Sequence, residues 1–267
     1  MPSQPRIYML HRVLKSYDPN NYYFHRNTAI SWERFLNLLD EIQGNGWTTR
    51  PISYISSGYT SRDIFITFDD GYSDNREALD EILRRGMLAT VYPARDFVKN
   101  RFSPIDDMAH HLMAEPVISK EIGESLLNGR LKKILRAISA PRYRYLRNKW
   151  FGIEQDAMNP FLFMTEELLL HYSKLGVEVG IHGSSHRVFT QLPKSSLMNE
   201  ITDSVNWILN LTNIYPKSIC FPHGKHDIEV VALSLKHTNL LLGVEGGSFC
   251  TPVLPRIHIK EHENVRT

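Results

Sequence analysis

Apolar positions along the chain fall into two alternating patterns. Short runs rich in β-branched and aliphatic residues recur at Ile7 to Leu10, Ile64 to Phe68, Ala89 to Tyr92, Val177 to Ile181, Ser218 to Phe221, Leu240 to Val244 and Ile257 to Ile259. Each reads as a buried strand. Between them, Ser31 to Gly44, Asn75 to Arg85, Thr165 to Leu175 and Lys194 to Leu211 repeat their apolar residues at helical spacing. Gly86 and Gly176 stand where two of these helices should stop, and Glu166 and Glu167 follow Thr165 where a helix start attracts negative charge. The β/α rhythm predicts an α/β domain with a parallel or mostly parallel, barrel-like sheet.

The segment from about Asn100 to Pro160 breaks that rhythm, with no strand-like run, and reads as a helical insertion within a single domain over 1–267. Leu127, Leu131, Ile134, Leu135 and Ile138 keep helical spacing, while Arg130, Lys132, Lys133 and Arg136 fall on other faces. Arg142, Arg144, Arg147 and Lys149 follow Pro141. Such a basic run is either a solvated helix face or a contact for an anionic membrane surface or a phosphorylated substrate.

Composition narrows the function. A chain of 267 residues with 42% hydrophobic content can bury a large core. Its net charge of +2 provides no general field for nucleic acid. Cys220 and Cys250 have no metal-type spacing and are expected as free thiols. The N-terminus carries only the short apolar run before His11 and Arg12, without the hydrophobic region of a signal peptide, so a cytoplasmic protein is expected, in peripheral contact with the inner membrane surface if the insertion docks there.

Candidate chemistry lies at strand ends. Ile64-Phe65-Ile66-Thr67-Phe68 stops at Asp69-Asp70-Gly71, two adjacent carboxylates that would repel unless a cation neutralises one. Taken alone, the same residues also suit a turn tip with Asp69 capping the next helix. Gly180-Ile181-His182-Gly183-Ser184-Ser185-His186 offers two imidazoles four residues apart, which meet one ion if the strand passes into a helical turn. Two histidines and one carboxylate leave positions open for water and substrate, the donor set of a catalytic metal.

Through Thr67-Phe68-Asp69-Asp70-Gly71 and the His182 to His186 pair, the chain resembles the polysaccharide deacetylase family, the NodB-like carbohydrate esterases of family 4 type. The likeness extends over Ile7 to Val13, similar to the start of the branch with an N-terminal YHRV-like motif, over Phe221-Pro222-His223-Gly224 and over Leu254-Pro255-Arg256-Ile257. The resemblance implies a distorted (β/α) barrel of about seven strands with a metal at the C-terminal strand ends; the N/O donor set accepts one divalent ion, zinc by default or another transition metal such as cobalt, manganese, iron or nickel. It implies Asp70, His182 and His186 as ligands, Asp69 as the base that takes a proton from water, and the backbone N–H of His223 as an oxyanion donor. It makes His11 the first candidate for the acid, with His258 as the alternative. Three positions depart from the family. Cys220 stands where relatives place an arginine that holds the aspartate, a role Arg256 could take, His223 replaces a tyrosine, and Leu10 replaces the tyrosine before the early histidine.

The expected reaction is hydrolysis of an N-acetyl group on an amino sugar in an oligosaccharide, lipid-linked or nucleotide-linked precursor. Two other readings use the same residues: a non-haem iron oxygenase built on the two-histidine, one-aspartate set, and a non-catalytic carbohydrate-binding barrel.

Overall fold

The computed structural model describes residues 5–99, 120–128, 162–244 and 252–263, together with 130, 131, 134, 138, 142, 145, 146 and 149. The strands are β1 (Arg6–Leu10), β2 (Arg12–Leu14), β3 (Ala29–Ser31), β4 (Thr48–Thr49), β5 (Asp63–Asp70), β6 (Thr90–Pro93), β7 (Glu178–Val179), β8 (Ser218–Cys220), β9 (Leu240–Leu242), β10 (Val253–Leu254) and β11 (Ile257–His258). The helices are α1 (Tyr22–His25), α2 (Trp32–Gly44), α3 (Asn75–Arg84), α4 (Arg95–Val98), α5 (Lys120–Leu127), α6 (Glu166–Lys174), α7 (Lys194–Thr212) and α8 (Ile228–Ser234).

Among the described residues every strand pair is parallel. One sheet runs β11-β1-β5-β6-β7 and a second β10-β9-β8. A bridge between Ile181 and Ile219 joins β7's continuation to β8. At the other edge, residues 253–254 pair with β9 and residues 257–258 pair with β1, so one terminal segment serves both sheets. The result is a ring of seven strand positions, β1, β5, β6, β7, β8, β9 and the 253–258 segment, as expected for a distorted (β/α) barrel. All seven apolar runs in the sequence lie on this ring. The short β2, β3 and β4 lie outside it and carry no run long enough to be read.

Side-chain alternation divides the ring into two cores. On β5, Ile64, Ile66 and Phe68 face the helices, where they pack with Leu38 and Leu39 of α2 and Leu79 and Ile82 of α3. Phe65 points the other way, into the barrel, and meets Ile7, Tyr92, Cys220 and Leu242, with Ile52 from the 3-10 helix Ile52–Ser57 packed among them. Burying each such large side chain contributes about 1.5–3 kcal/mol. The interior is crowded: a Cβ on Gly180 would lie 2.1 Å from the Tyr92 ring, so only glycine lets β7 pass there.

The helices form where the pattern puts them. On α2, Phe35, Leu38, Leu39 and Ile42 are buried, and the Ser31 hydroxyl accepts the Arg34 N–H at 3.1 Å to cap its start. Thr165 caps α6 in the same way, accepting from Leu168 N at 3.2 Å. α1, α4 and α8 have 4 to 7 residues, too few for a period to be seen.

Within the expected insertion, α5 is helical, as are residues 130, 131, 134, 142, 145, 146 and 149. Arg130, Arg142 and Lys149 are exposed; Lys132, Lys133, Leu135, Arg136, Arg144 and Arg147 lie outside the described residues, as does Cys250. Both roots of this segment adjoin the strand ends of β5 and β6. It leaves after α4 and returns at Phe163, which bridges Tyr72, while Met164 N donates to Gly71 O at 2.9 Å.

Candidate metal centre

β5 ends with Asp69 and Asp70 at the C-terminal mouth of the barrel, and alternation sends them apart. Asp69 continues the inward row of Phe65 and Thr67. Its two carboxylate oxygens each accept a hydrogen bond from Arg256, Nη1 to Oδ1 and Nη2 to Oδ2, both 2.7 Å. Arg256 is 1% exposed, and its remaining bonds go to Thr67 Oγ1 at 3.1 Å and the Gly243 carbonyl at 3.0 Å. The Cys220 thiol lies 3.6 and 3.7 Å from the same two oxygens. Burial pushes the Asp69 carboxyl up, but the guanidinium charge and its hydrogen bonds bring it down to about 2. Arg256 therefore stands in the role that Cys220 leaves open, with its donors directed at Asp69, Thr67 and Gly243.

Asp70 takes the left-handed conformation, φ +69°, uncommon for a residue with a side chain. Its Oδ1 lies 3.3 Å from His182 Nε2 and 3.1 Å from His186 Nε2. His182 Nδ1 lies 2.8 Å from the Cys220 carbonyl, which can only accept, so Nδ1 carries the hydrogen and Nε2 is the nitrogen turned toward Asp70. Ligand atoms from Asp70, His182 and His186 lie within 4.8 Å of one another. Among the described residues, Asp70 Oδ1 is buried and accepts no hydrogen bond. An orphaned carboxylate oxygen facing two imidazole nitrogens fits a divalent cation with an N/O preference. Burial pushes the His182 imidazole down, but Cys220, Asp70 and Asp69 raise it well above the usual histidine range.

The turn carrying the second histidine differs from the expectation. Residues 183–187 make no helical turn; Gly183 has φ +77° and His186 φ +56°. Two left-handed residues fold the chain back sharply enough to bring His186 beside His182, their ring centroids 4.9 Å apart. A Cβ on Gly183 would lie 3.0 Å from the Phe189 ring and 3.1 Å from a Glu200 oxygen. Glu200 and the backbone of α4 hold this turn, contacts that no local spacing announces because they arrive from other elements.

The remaining candidates surround the pair. His11 follows β1, whose Leu10 pairs with Phe68, so it stands level with Asp69 on the neighbouring strand. Its Nδ1 is buried without a hydrogen-bond partner among the described residues. Burial lowers its pKa, while Asp70 and Asp69 pull it back up. His258 lies 5.7 Å from it, ring to ring, and burial together with the His11 charge brings its pKa down to about 4, leaving it neutral near pH 7. His223, also left-handed at φ +57°, lies 4.7 Å from the His186 ring at the exposed edge.

The family model for polysaccharide deacetylase matches residues 57–240, more than half of the chain. No curated protein matches the chain in sequence. Among solved structures, a deacetylase of Streptococcus pyogenes in complex with acetate superposes with a TM-score of 0.67 at 13% identity, covering 98% of this chain and 95% of that one. A polysaccharide deacetylase of Bacillus cereus gives 0.65 at 14% identity, with 98% and 66% covered. A de-N-acetylase of Aggregatibacter actinomycetemcomitans gives 0.63 at 14% identity, with 98% and 97% covered. At these identities the likeness speaks for the barrel alone.

Proposed function

The chain belongs to the polysaccharide deacetylase family, hydrolases of sugar amides, and from that premise we propose that it removes an N-acetyl group from an amino sugar of a lipid-linked or nucleotide-linked precursor, with a divalent ion, zinc by preference, held by Asp70, His182 and His186. The observation that carries this reading is the orphaned Asp70 Oδ1 between two imidazole nitrogens, one residue from a carboxylate kept ionised by Arg256. A cation bound there makes water more acidic and polarises the acetyl carbonyl.

The protein's own groups move the protons. Asp69 accepts the proton of the attacking water; each of its oxygens spends one lone pair on Arg256 and keeps another. Water oxygen adds to the acetyl carbon, and the backbone N–H of His223 steadies the resulting oxyanion. The C–N bond then breaks, the amine nitrogen takes a proton from His11, and acetate leaves.

The precursor class rests on where the insertion is rooted. Phe97 of α4 packs 5.6 Å from the His186 ring, residues 162–164 pair beside Gly71, and Arg187 donates to the Ile138 carbonyl. The insertion's exposed Arg130, Arg142 and Lys149 suit a substrate bearing a pyrophosphate or lying at an anionic surface.

The test is metal analysis of the purified protein joined to acetate release from N-acetylated sugars presented as nucleotide-linked, lipid-linked and free polymeric forms, with Asp69→Asn as control. Chelator-sensitive acetate release, strongest on a pyrophosphate-linked sugar and lost in Asp69→Asn, is expected. Preference for free polymer overturns the precursor class. No acetate from any form, with oxygen uptake on adding a 2-oxoacid, would favour the oxygenase reading.

A further inference from the structure

The turn between the two ligand histidines is held from outside by one carboxylate. Glu200, on α7, accepts the backbone N–H of Ser184 at 2.7 Å and of Ser185 at 2.8 Å, and the Ser185 hydroxyl donates to its other oxygen. The Ser184 hydroxyl in turn donates to the Glu200 carbonyl at 3.2 Å. Consecutive N–H groups that converge on one anion form a concave nest, and a nest of this kind fixes the backbone that builds it. The same turn contains Gly183 and His186 in the left-handed region, a conformation that persists for a histidine only where the surroundings over-determine it. From the opposite side, Arg95 N donates to the Gly183 carbonyl at 3.3 Å and Asp96 N to the Ser184 carbonyl at 2.7 Å.

We propose that Glu200 is a positioning residue for the metal: its carboxylate holds the Ser184–Ser185 turn so that His186 Nε2 meets Asp70 and His182 at one ion. This rests on the metal reading above. Both backbone N–H groups meet the same carboxylate oxygen, so the amide of Glu200→Gln keeps an acceptor for them but loses the negative charge that strengthens both bonds, and the nest is weakened with almost no change of volume. His182, seated on the ring itself and tied to the Cys220 carbonyl, would stay in place.

Zinc titration calorimetry on wild type, Glu200→Gln, Ser185→Ala and the surface control Met198→Ala tests this, with thermal melting and amide hydrogen exchange at Ser184 and Ser185 measured on the metal-free proteins. A loss of on the order of 10–100-fold in zinc affinity is expected for Glu200→Gln, as for other partners of ligand-bearing groups. Faster exchange at the two amides should accompany it, with the metal-free melting curve unchanged relative to Met198→Ala. Ser185→Ala, which removes only the hydroxyl contact, should lose a few-fold; it decides the matter should Glu200→Gln fail to fold. Wild-type zinc binding with unaltered affinity in the folded variants overturns the role of Glu200 alone. Absence of zinc binding by the wild type overturns the metal reading, and this one with it.

Discussion

Asp69 and Asp70 are adjacent in the chain and of one residue type, yet the barrel interior and the barrel rim treat them in opposite ways. Inside, Asp69 is paired with a fully buried guanidinium that balances its charge with one hydrogen bond to each oxygen. At the rim, Asp70 keeps a buried oxygen without a hydrogen bond and faces two imidazoles. The pleat separates them: inward alternation carries Asp69 to the axis, and a left-handed backbone turns Asp70 to the mouth. One position keeps a charge available to accept protons, and the other offers an unsatisfied donor set to a cation.

That contrast can be broken most strongly at the rim. Asp70→Ala should reduce zinc affinity and acetate release by more than the roughly 10–100-fold expected for an outer partner. Asp69→Asn should leave zinc bound while lowering the rate by roughly 10²–10⁴-fold. Calorimetric zinc titration run beside the acetate assay separates the two; equal loss of metal in both variants would show that the carboxylates share one role.

The interior half is sharpened by Arg256→Ala. Removing the guanidinium leaves Asp69 buried and unpaired, which should cost about 3–5 kcal/mol in urea unfolding at pH 7. Its dependence on pH has a definite sign. Asp69 titrates at about 2 when folded, below its value in the unfolded chain, so the wild type gains stability that is complete above about pH 4 and lost as pH falls toward 2. In the variant burial is opposed only by the smaller contributions of His182 and His11, so the carboxyl rises relative to the wild type. The stability difference between the two proteins should therefore be widest at pH 7 and narrow toward pH 2. A difference independent of pH would place the cost in packing instead.

The smallest effect belongs to Cys220. Its thiol approaches Asp69 at 3.6 and 3.7 Å, but Arg256 already satisfies both oxygens. Cys220→Ala should cost about 1 kcal/mol in thermal melting, chiefly from lost packing, and less than tenfold in acetate release. A larger loss of rate would give the thiol a share in holding the base.

By itself, the sequence determined the barrel and the composition of its centre. Periodicity located all seven ring strands because the central ones are buried on both faces, which leaves continuous apolar runs such as Ile64 to Phe68, while the half-buried Ile257–His258 strand was marked by its short aliphatic run alone. Asp69, Asp70, His182 and His186 were legible because they sit together at two strand ends, where local order in the chain already places them side by side. The hinge that joins the histidines was not: helical spacing suggested one geometry, and tertiary contacts imposed another, with His186 left-handed under the hold of Glu200 and α4. The chain offered Arg256 as a partner for Asp69, and only the closed ring, bringing together residues 187 positions apart, gave the two-pronged pairing its geometry. Local propensity acts over a turn of chain, whereas pairing a buried charge is settled by whichever opposite charge the closed ring brings within reach.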